Sequence, residues 1–315
     1  MLSDDLKAFD RFLDEQTWRD TTVKFYRYIV RRLISWMARN RINSFADLEI
    51  RQVKEFLAAC RWGNSMARKL NSVLVQFVRW KYGQDHQLLR WKVRREMAPP
   101  QRTLDQDQAS KLLASFQPGL SEDYSNRVRR FTLCDIDQPL GVRNHAIIWL
   151  LLDSGFRSSE LCHLELSRLN LVERSATGLV KFGKWRTAIF SAVTAQALTD
   201  WVAIRSEFET KESAGRLFIG VMNGFEGIPL TDAGLRSMLR NLGRVTGIGP
   251  LSPHDFRRTF ATLATRAGAS IQAVKEAGGW ANSEMVMHYT RAIKASEILP
   301  HLPGNTLQIK GEAPV

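Results

Sequence analysis

A short stretch in the first third of the chain limits the fold more than any other feature. Residues 91–103, "WKVRREMAPPQRT", combine basic side chains with two adjacent prolines and show no helical or strand periodicity, which is typical of a linker. The chain of 315 residues is also long for one compact helical core. We therefore predict two domains, residues 1–90 and 104–300, joined by this linker and followed by a tail at 301–315.

The first domain is predicted to be a bundle of four helices, because four stretches place apolar residues at helical spacing. Ser3 and Ser44 are suitable N-caps for the first and third helices. Gly83 is a suitable stop signal after the fourth helix.

Charge points to a polyanionic partner. The formal net charge is +13, and residues 21–100 hold 17 Lys and Arg against 5 Asp and Glu. Such an excess favours nucleic acid, although a basic surface kept for solubility is the alternative. The candidate DNA contacts are Arg31, Arg32, Arg39, Arg68, Lys69 and Arg79.

Other functional classes find no support in the sequence. The three cysteines are far apart and no Cys/His cluster has the spacing of a metal site, so we expect no metal and no cofactor. The acidic N-terminus does not resemble a signal peptide. The longest apolar run, Ala146–Leu152, is too short to span a bilayer. We expect a cytoplasmic, nucleoid-associated protein without a membrane partner.

Residues 104–300 are predicted to be mainly helical with one small antiparallel β element. The segment 142–164 indicates a buried helix, a break at Gly155 and a second helix from about Ser158. Residues 169–190 alternate in polarity, which favours two or three strands with turns around Gly178 and Gly183.

The segment "LSPHDFRRTF" has the pattern of a helix start. Ser252 is a good N-cap, Pro253 suits the first helical position and Asp255 completes a capping pattern. His254 and Arg257 then share one face of the first turn, where a phosphate can bind. This pair alone is a weak signal.

Together with other motifs, however, the chain resembles the tyrosine recombinase family, also called the phage integrase family. The stretches "SGFRSSEL", "VKFGKWR", "PHDFRRTF" and "GGW", followed by a tyrosine, match the family's order R…K…H-x-x-R…H/W…Y throughout residues 104–300. The six matching positions are Arg157, Lys181, His254, Arg257, Trp280 and Tyr289. Residues 1–90 are similar, more loosely, to the family's four-helix, SAM-like core-binding domain.

Two positions depart from the usual family pattern. Trp280 occupies a position where histidine is common; its indole N–H can donate to phosphate but cannot transfer a proton. The strand motif, usually near G-K-G-x-K-x-R, is "VKFGKWR" here. Counting back from Arg186 identifies Lys181 as the family lysine, with Lys184 as the alternative.

The resemblance implies phosphoryl transfer to a protein hydroxyl. Tyr289 would attack a DNA phosphodiester, leaving a 3′-phosphotyrosyl link and a free 5′-hydroxyl, and the bond energy kept in the intermediate removes the need for ATP. The implied roles of the other residues are charge neutralisation by Arg157 and Arg257, proton acceptance by His254, protonation of the leaving oxygen by Lys181, hydrogen bonding by Trp280, and orientation of the cluster by Glu160.

The resemblance also implies partners. They are double-stranded DNA with short inverted half-sites, further copies of this chain in a tetramer that acts through a Holliday junction, and accessory DNA-bending proteins. The apolar residues Ile293, Ile298 and Leu299 of segment 292–304 would contact a neighbouring copy. The start of the chain at the core-binding module favours an Xer-like or Cre-like layout. Two alternatives remain: DNA relaxation by a type IB topoisomerase, and a non-catalytic DNA-binding regulator.

We predict that DNA cleavage by this protein persists in EDTA, because two guanidiniums rather than a metal would neutralise the phosphoryl oxygens. Cleavage is measured with and without chelator on a denaturing gel. Loss of activity on chelation, restored by added magnesium, would indicate a different enzyme class.

Overall fold

The computed structural model describes residues 2–94, 102–120, 133–179, 185–222 and 224–289. The chain divides into two compact units, Met1–Ala98 and Pro99–Val315. Each unit has its own buried apolar core. Within the described ranges, no helix is long and apolar enough to cross a membrane.

The first unit is helical, as its apolar periodicity predicts. Phe9 and Phe77 meet edge to face in its core, with ring centres 5.2 Å apart, a favourable aromatic geometry. The buried Asp5 carboxylate accepts a hydrogen bond from the Phe45 N–H at 2.8 Å and pairs with Lys81. Its helices are α1 (Leu2–Asp14), α2 (Asp20–Arg39), α3 (Ile50–Ala59) and α4 (Asn64–Tyr82).

Both predicted serine caps in this unit are wrong. Helix α1 begins at Leu2, so Ser3 already lies inside it. Ser44 accepts a hydrogen bond from the Ala46 N–H at 3.2 Å, but this caps a short 3-10 turn. The chain is extended after that turn, and α3 begins only after Glu49, whose N–H donates to Gln52. Ser44 does act as an N-cap, but the element that it caps is the 3-10 turn and not α3.

Packing of the first unit continues past residue 90. Trp91, placed by the sequence at the start of the linker, is buried in the first core. Its carbonyl accepts a hydrogen bond from Asn71 at 2.8 Å, and the Arg94 carbonyl accepts one from Asn64 at 3.0 Å. An indole ring is too apolar to remain in an exposed linker when a core is within reach.

The second unit surrounds helix α6, which is apolar on nearly all sides and is therefore buried. It packs against α8 and α10. Trp201 of α8 is fully buried, and its indole N–H donates to the Leu217 carbonyl at 2.9 Å. The helices of this unit are α5 (Gln106–Ala114), α6 (Pro139–Ser154), α7 (Ser158–Cys162), α8 (Ala192–Arg205), α9 (Asp232–Val245), α10 (Pro253–Arg266), α11 (Ile271–Gly278) and α12 (Ser283–Tyr289).

Within the described residues, the sheet has three antiparallel strands in the order β1 (Leu169–Asn170), β2 (Ser175–Leu179) and β3 (Trp185–Ile189). The predicted turn at Gly178 is wrong, because Gly178 lies within β2 and pairs with Arg186. A Cβ at Gly178 would lie 3.3 Å from Phe156, so glycine here permits close packing of strand on core. Gly183 lies outside the described residues.

A methyl group added at Gly141, in the first turn of α6, would lie 1.8 Å from the Asp135 carbonyl oxygen. We predict that Gly141→Ala lowers the free energy of unfolding of the second unit by about 1–3 kcal/mol, the usual cost of overpacking. The measurement is urea denaturation of the full chain. Gly234→Ala in α9 is the matched control, since its added Cβ meets only side chains, at 3.3 Å. Equal midpoints for both variants would contradict the prediction.

Candidate active site

Two arginines approach one buried carboxylate, that of Glu160 in α7. Arg157 precedes α7, and its backbone N–H donates to Glu160 Oε2 at 2.9 Å. Its guanidinium pairs with Oε1 of the same carboxylate. Arg186 Nη2, from strand β3, lies 3.8 Å from Oε2. Glu160 is only 1% exposed, so these two arginines are its electrostatic partners in place of water.

A sharp turn brings Arg157 next to helix α10. Gly155 ends α6 with a left-handed conformation, φ 56°, and a Cβ there would lie 2.7 Å from Phe260 Cδ1. Glycine tolerates both conditions. The break predicted at Gly155 and the helix predicted from Ser158 both match the structure.

Helix α10 starts as its capping pattern predicts. The Asp255 carboxylate accepts hydrogen bonds from the Ser252 N–H at 2.8 Å and from the Ser252 hydroxyl at 2.9 Å, and Pro253 is the first helical residue. His254 and Arg257 therefore both lie in the first turn. The former is exposed, whereas the latter is 2% exposed.

Arg257 is held by a carbonyl and an aromatic ring rather than by an acid. Its Nη1 donates to the Gly155 carbonyl at 2.5 Å. Its guanidinium carbon lies 4.1 Å from the centre of the Trp280 ring, a cation–π distance.

Trp280 is buried among aromatic rings. Its ring centre lies 6.2 Å from that of Phe260, nearly parallel, and 5.8 Å from that of Tyr289. Two glycines permit this position. A Cβ at Gly278 would lie 1.8 Å from Trp280 Cζ3, and Gly279 has φ 63°. The two glycines of the motif "GGW" are therefore needed for Trp280 to occupy this position.

Two buried donors near this aromatic group remain unused. Within the described parts of the chain, neither Arg257 Nη2 nor Trp280 Nε1 has a hydrogen-bond partner. Leaving a buried donor without an acceptor is costly. The arrangement therefore fits an incoming acceptor, and the neighbouring cations favour an anionic one.

Tyr289 is the last residue of α12, and its side chain is half-buried beside Trp280. Its carbonyl accepts a hydrogen bond from the Thr262 hydroxyl at 3.2 Å, which ties the end of α12 to α10. The Tyr289 side chain is also near enough to Arg257 to oppose, slightly, the lowering of that guanidinium's pKa by burial and by Arg157.

Burial and mutual repulsion shape the electrostatics of this cluster. Burial, followed by repulsion from Arg157, lowers the pKa of Arg257 to about 9. Burial lowers the pKa of Arg186 to about 10. Both groups are still protonated at neutral pH, so three guanidiniums face the one carboxylate of Glu160. The site holds excess positive charge, as a phosphate site requires.

His254 stays neutral more readily than an ordinary histidine. Partial desolvation of the ring lowers its pKa, and the cations Arg258 and Arg257 lower it further. At neutral pH the imidazole is then a proton acceptor rather than a cation.

The remaining predicted residues are placed as follows. Lys181 and Lys184 lie outside the described residues, as does segment 292–304. Among the described residues, no group of three or more His, Cys, Asp or Glu lies close enough to hold a metal ion. The six basic candidates of the first unit are all exposed, on α2 and α4.

Some of these basic residues have partners on their own unit. Arg31 pairs with Asp10 at 3.2 Å, Arg32 lies 5.3 Å from the ring centre of Trp62, and Arg39 donates to a carbonyl of its own helix. Such contacts are also those of ordinary surface charges. The DNA-contact role of these residues stays a prediction.

Arg186 is a member of the cluster that the sequence motifs did not identify, because it enters them only as the residue from which the family lysine is counted back. The signal was present in β3, where strand alternation places Arg186 on the same, inward face as Ala188.

Comparison with known proteins agrees with the resemblance that these residues carry. The phage integrase family model matches residues 103–296, and the chain belongs to this family. This match confirms the predicted resemblance and the enzyme class of tyrosine-type site-specific recombinase. The structure confirms the predicted fold, which is mainly helical with a small antiparallel sheet.

Two relatives illustrate the similarity. The chain is 34% identical over 170 residues to tyrosine recombinase XerC of Bacillus pumilus, covering 53% of this chain and 55% of that protein. It is 28% identical over 295 residues to XerC of Actinobacillus succinogenes, covering 90% of both. The aligned part thus spans about half of the first relative and nine tenths of the second.

Solved structures show the same fold. The XerH site-specific recombinase bound to palindromic difH substrate, in a post-cleavage complex, has a TM-score of 0.66 at 18% identity, covering 89% of this chain and 78% of that one. The Tn1549 transposon integrase in complex with circular intermediate DNA has a TM-score of 0.65 at 16% identity, covering 94% and 98%.

The cause of the His254 shift is testable by an NMR titration of the imidazole protons. We predict that His254 titrates below the ordinary histidine pKa of about 6.5. Its pKa should rise in Arg258→Gln, because this removes the cation that lowers it most. Arg244→Gln, an exposed arginine on α9, is the control. If His254 in the unmodified protein has a pKa above that of an ordinary histidine, the imidazole is not the neutral proton acceptor described here.

Proposed function

We propose that this protein cuts and rejoins DNA strands at specific sites through a covalent bond between Tyr289 and a DNA 3′-phosphate. One observation supports the proposal most strongly: two unused buried donors and excess positive charge lie beside the half-buried side chain of Tyr289. A phosphodiester supplies both the acceptors and the negative charge that this arrangement lacks.

Transition-state stabilisation would come from fixed donors. The planar guanidiniums of Arg157 and Arg257 neutralise the non-bridging phosphoryl oxygens. Arg257 Nη2 and Trp280 Nε1 donate to the same oxygens, which relieves their unsatisfied state. Loss of one preorganised donor of this kind typically costs about 3–4 kcal/mol of transition-state stabilisation.

Proton transfer would divide between two residues. As the bond from Tyr289 oxygen to phosphorus forms, His254 accepts the phenolic proton, which its neutral state at pH 7 allows. As the bond from phosphorus to the 5′-oxygen breaks, Lys181, or alternatively Lys184, donates a proton to that oxygen. The 5′-hydroxyl of another strand then attacks the phosphotyrosine and releases Tyr289, so no ATP is consumed.

Recombination is favoured over simple relaxation as the outcome. The relatives named above are recombinases, and the solved structures similar in fold include recombinases bound to DNA. The proposed partners are double-stranded DNA with short inverted half-sites, three further copies of this chain at a Holliday junction, and DNA-bending proteins, all within the cytoplasmic nucleoid. The first unit would bind DNA through its exposed basic residues, and the second would catalyse strand cleavage and rejoining. Segment 292–304 would contact a neighbouring copy of the chain.

Tyr289→Phe is predicted to bind DNA as the unmodified chain does and to form no covalent adduct, because only the attacking oxygen is removed. The substrate is a set of labelled, nicked duplexes made from the DNA that flanks the gene, and adducts are resolved on a denaturing gel without metal. Tyr26→Phe, in the first unit, is the control and should form the adduct normally. An adduct from Tyr289→Phe would exclude Tyr289 as the nucleophile.

A further inference from the structure

Arg186 has no role among the residues discussed so far, yet it makes several contacts within the candidate site. It lies on β3, and its side chain is 7% exposed. Its Nη1 donates to the Ala277 carbonyl at 2.6 Å, and its Nη2 donates to the Ser154 carbonyl at 3.1 Å. One guanidinium thus joins two turns that are far apart in the sequence.

The first of these turns presents Arg157. Ser154 ends α6 and is followed by Gly155, Phe156 and Arg157. The Arg186 guanidinium also lies 4.5 Å from the centre of the Phe156 ring and 3.8 Å from Glu160, the carboxylate that holds Arg157. Because Arg257 donates to the Gly155 carbonyl, the same turn also sets the position of that arginine.

The second turn presents Trp280. Ala277 lies in the last turn of α11 and is followed by the two glycines that precede the tryptophan. A Cβ on Gly279 would lie 2.6 Å from Arg186 Cδ, so the arginine stem packs directly on this turn. Displacement of Arg186 would therefore release the backbone that leads to the indole.

Stability alone does not explain an arginine at this position. Burying a guanidinium carries a desolvation cost that a well-packed apolar side chain avoids. Only arginine offers several donors in one rigid plane, and a lysine ammonium is a single point charge. The contacts at this position require donors directed at two carbonyls at once.

We propose that Arg186 is a positioning residue that fixes the Arg157 turn against the Trp280 turn, so that the donors of both converge on one phosphoryl group. The positioning role belongs to Nη1 and Nη2, which donate to the two carbonyls, whereas Nε has no hydrogen-bond partner among the described residues. The inference rests on the proposed function, since it names how that same site is held in register.

The experiment compares Arg186→Met and Arg186→Lys with Arg205→Met in the full chain. Arg205 is a matched control, because it is 1% exposed and its guanidinium also donates to two carbonyls, those of Arg216 and Leu217. Three quantities are measured below the unfolding temperature of each variant: the Kd for DNA, the single-turnover rate of covalent adduct formation on nicked duplex, and backbone hydrogen exchange by mass spectrometry.

We expect both Arg186 variants to keep the Kd and to lose about 100-fold in the single-turnover rate, as a displaced reacting geometry does. Arg186→Lys, which keeps a positive charge near Glu160, should stay folded at the assay temperature without restoring the rate. Exchange should increase at residues 277–280 and 154–157 in both Arg186 variants. Arg205→Met should lower the unfolding temperature, react at the unmodified rate and leave exchange in both turns unchanged.

Two results would overturn the inference. One is adduct formation at the unmodified rate by Arg186→Lys, whose stability keeps the test meaningful if Arg186→Met does not fold. The other is unchanged exchange in both turns. Failure of the unmodified chain to form an adduct would count against the proposed function alone. The exchange measurement needs no activity, so it would still test whether Arg186 anchors the two turns.

Discussion

Packing of the guanidiniums of Arg157, Arg186 and Arg257, the last two of them buried, near the one buried carboxylate of Glu160 is the interaction on which the rest of the candidate site depends. Glu160 pairs with Arg157 and lies near Arg186, but among the described residues Arg257 has only a carbonyl and an indole ring as partners. Charge buried with so little compensation costs free energy in the absence of a ligand. An anion that enters the site would remove this cost, so under the proposed function the folded chain is organised for phosphate before DNA arrives.

The fold maintains this unfavourable cluster through backbone geometry. Gly155 turns the chain sharply after α6, and Gly279 does the same after α11, each in a left-handed conformation. The Asp255 cap fixes the start of α10, which sets the direction of Arg257. Tyr289 reaches the same place because α12 ends against Thr262 of α10. Separate elements thus converge without any metal ligand or disulfide among the described residues.

Much of this was predictable from the sequence, and the failures have physical causes. The helices followed from apolar spacing, and the α10 start followed from Ser252, Pro253 and Asp255, since both signals are local. Gly178 was assigned to a turn because glycine usually marks one, whereas here it admits a close contact that only tertiary packing reveals. Arg186 was missed because its importance lies in carbonyls that are distant in sequence. No local pattern indicates such acceptors.

The most direct test of the account is to identify the residue that bears the nucleotide. The covalent complex formed on nicked DNA is digested with nuclease and protease, and the modified peptide is sequenced by mass spectrometry. The chain has 5 tyrosines, so the result discriminates among them. We predict a nucleotide linked through its 3′-phosphate to Tyr289. A nucleotide on any other residue, or one linked through a 5′-phosphate, would contradict it.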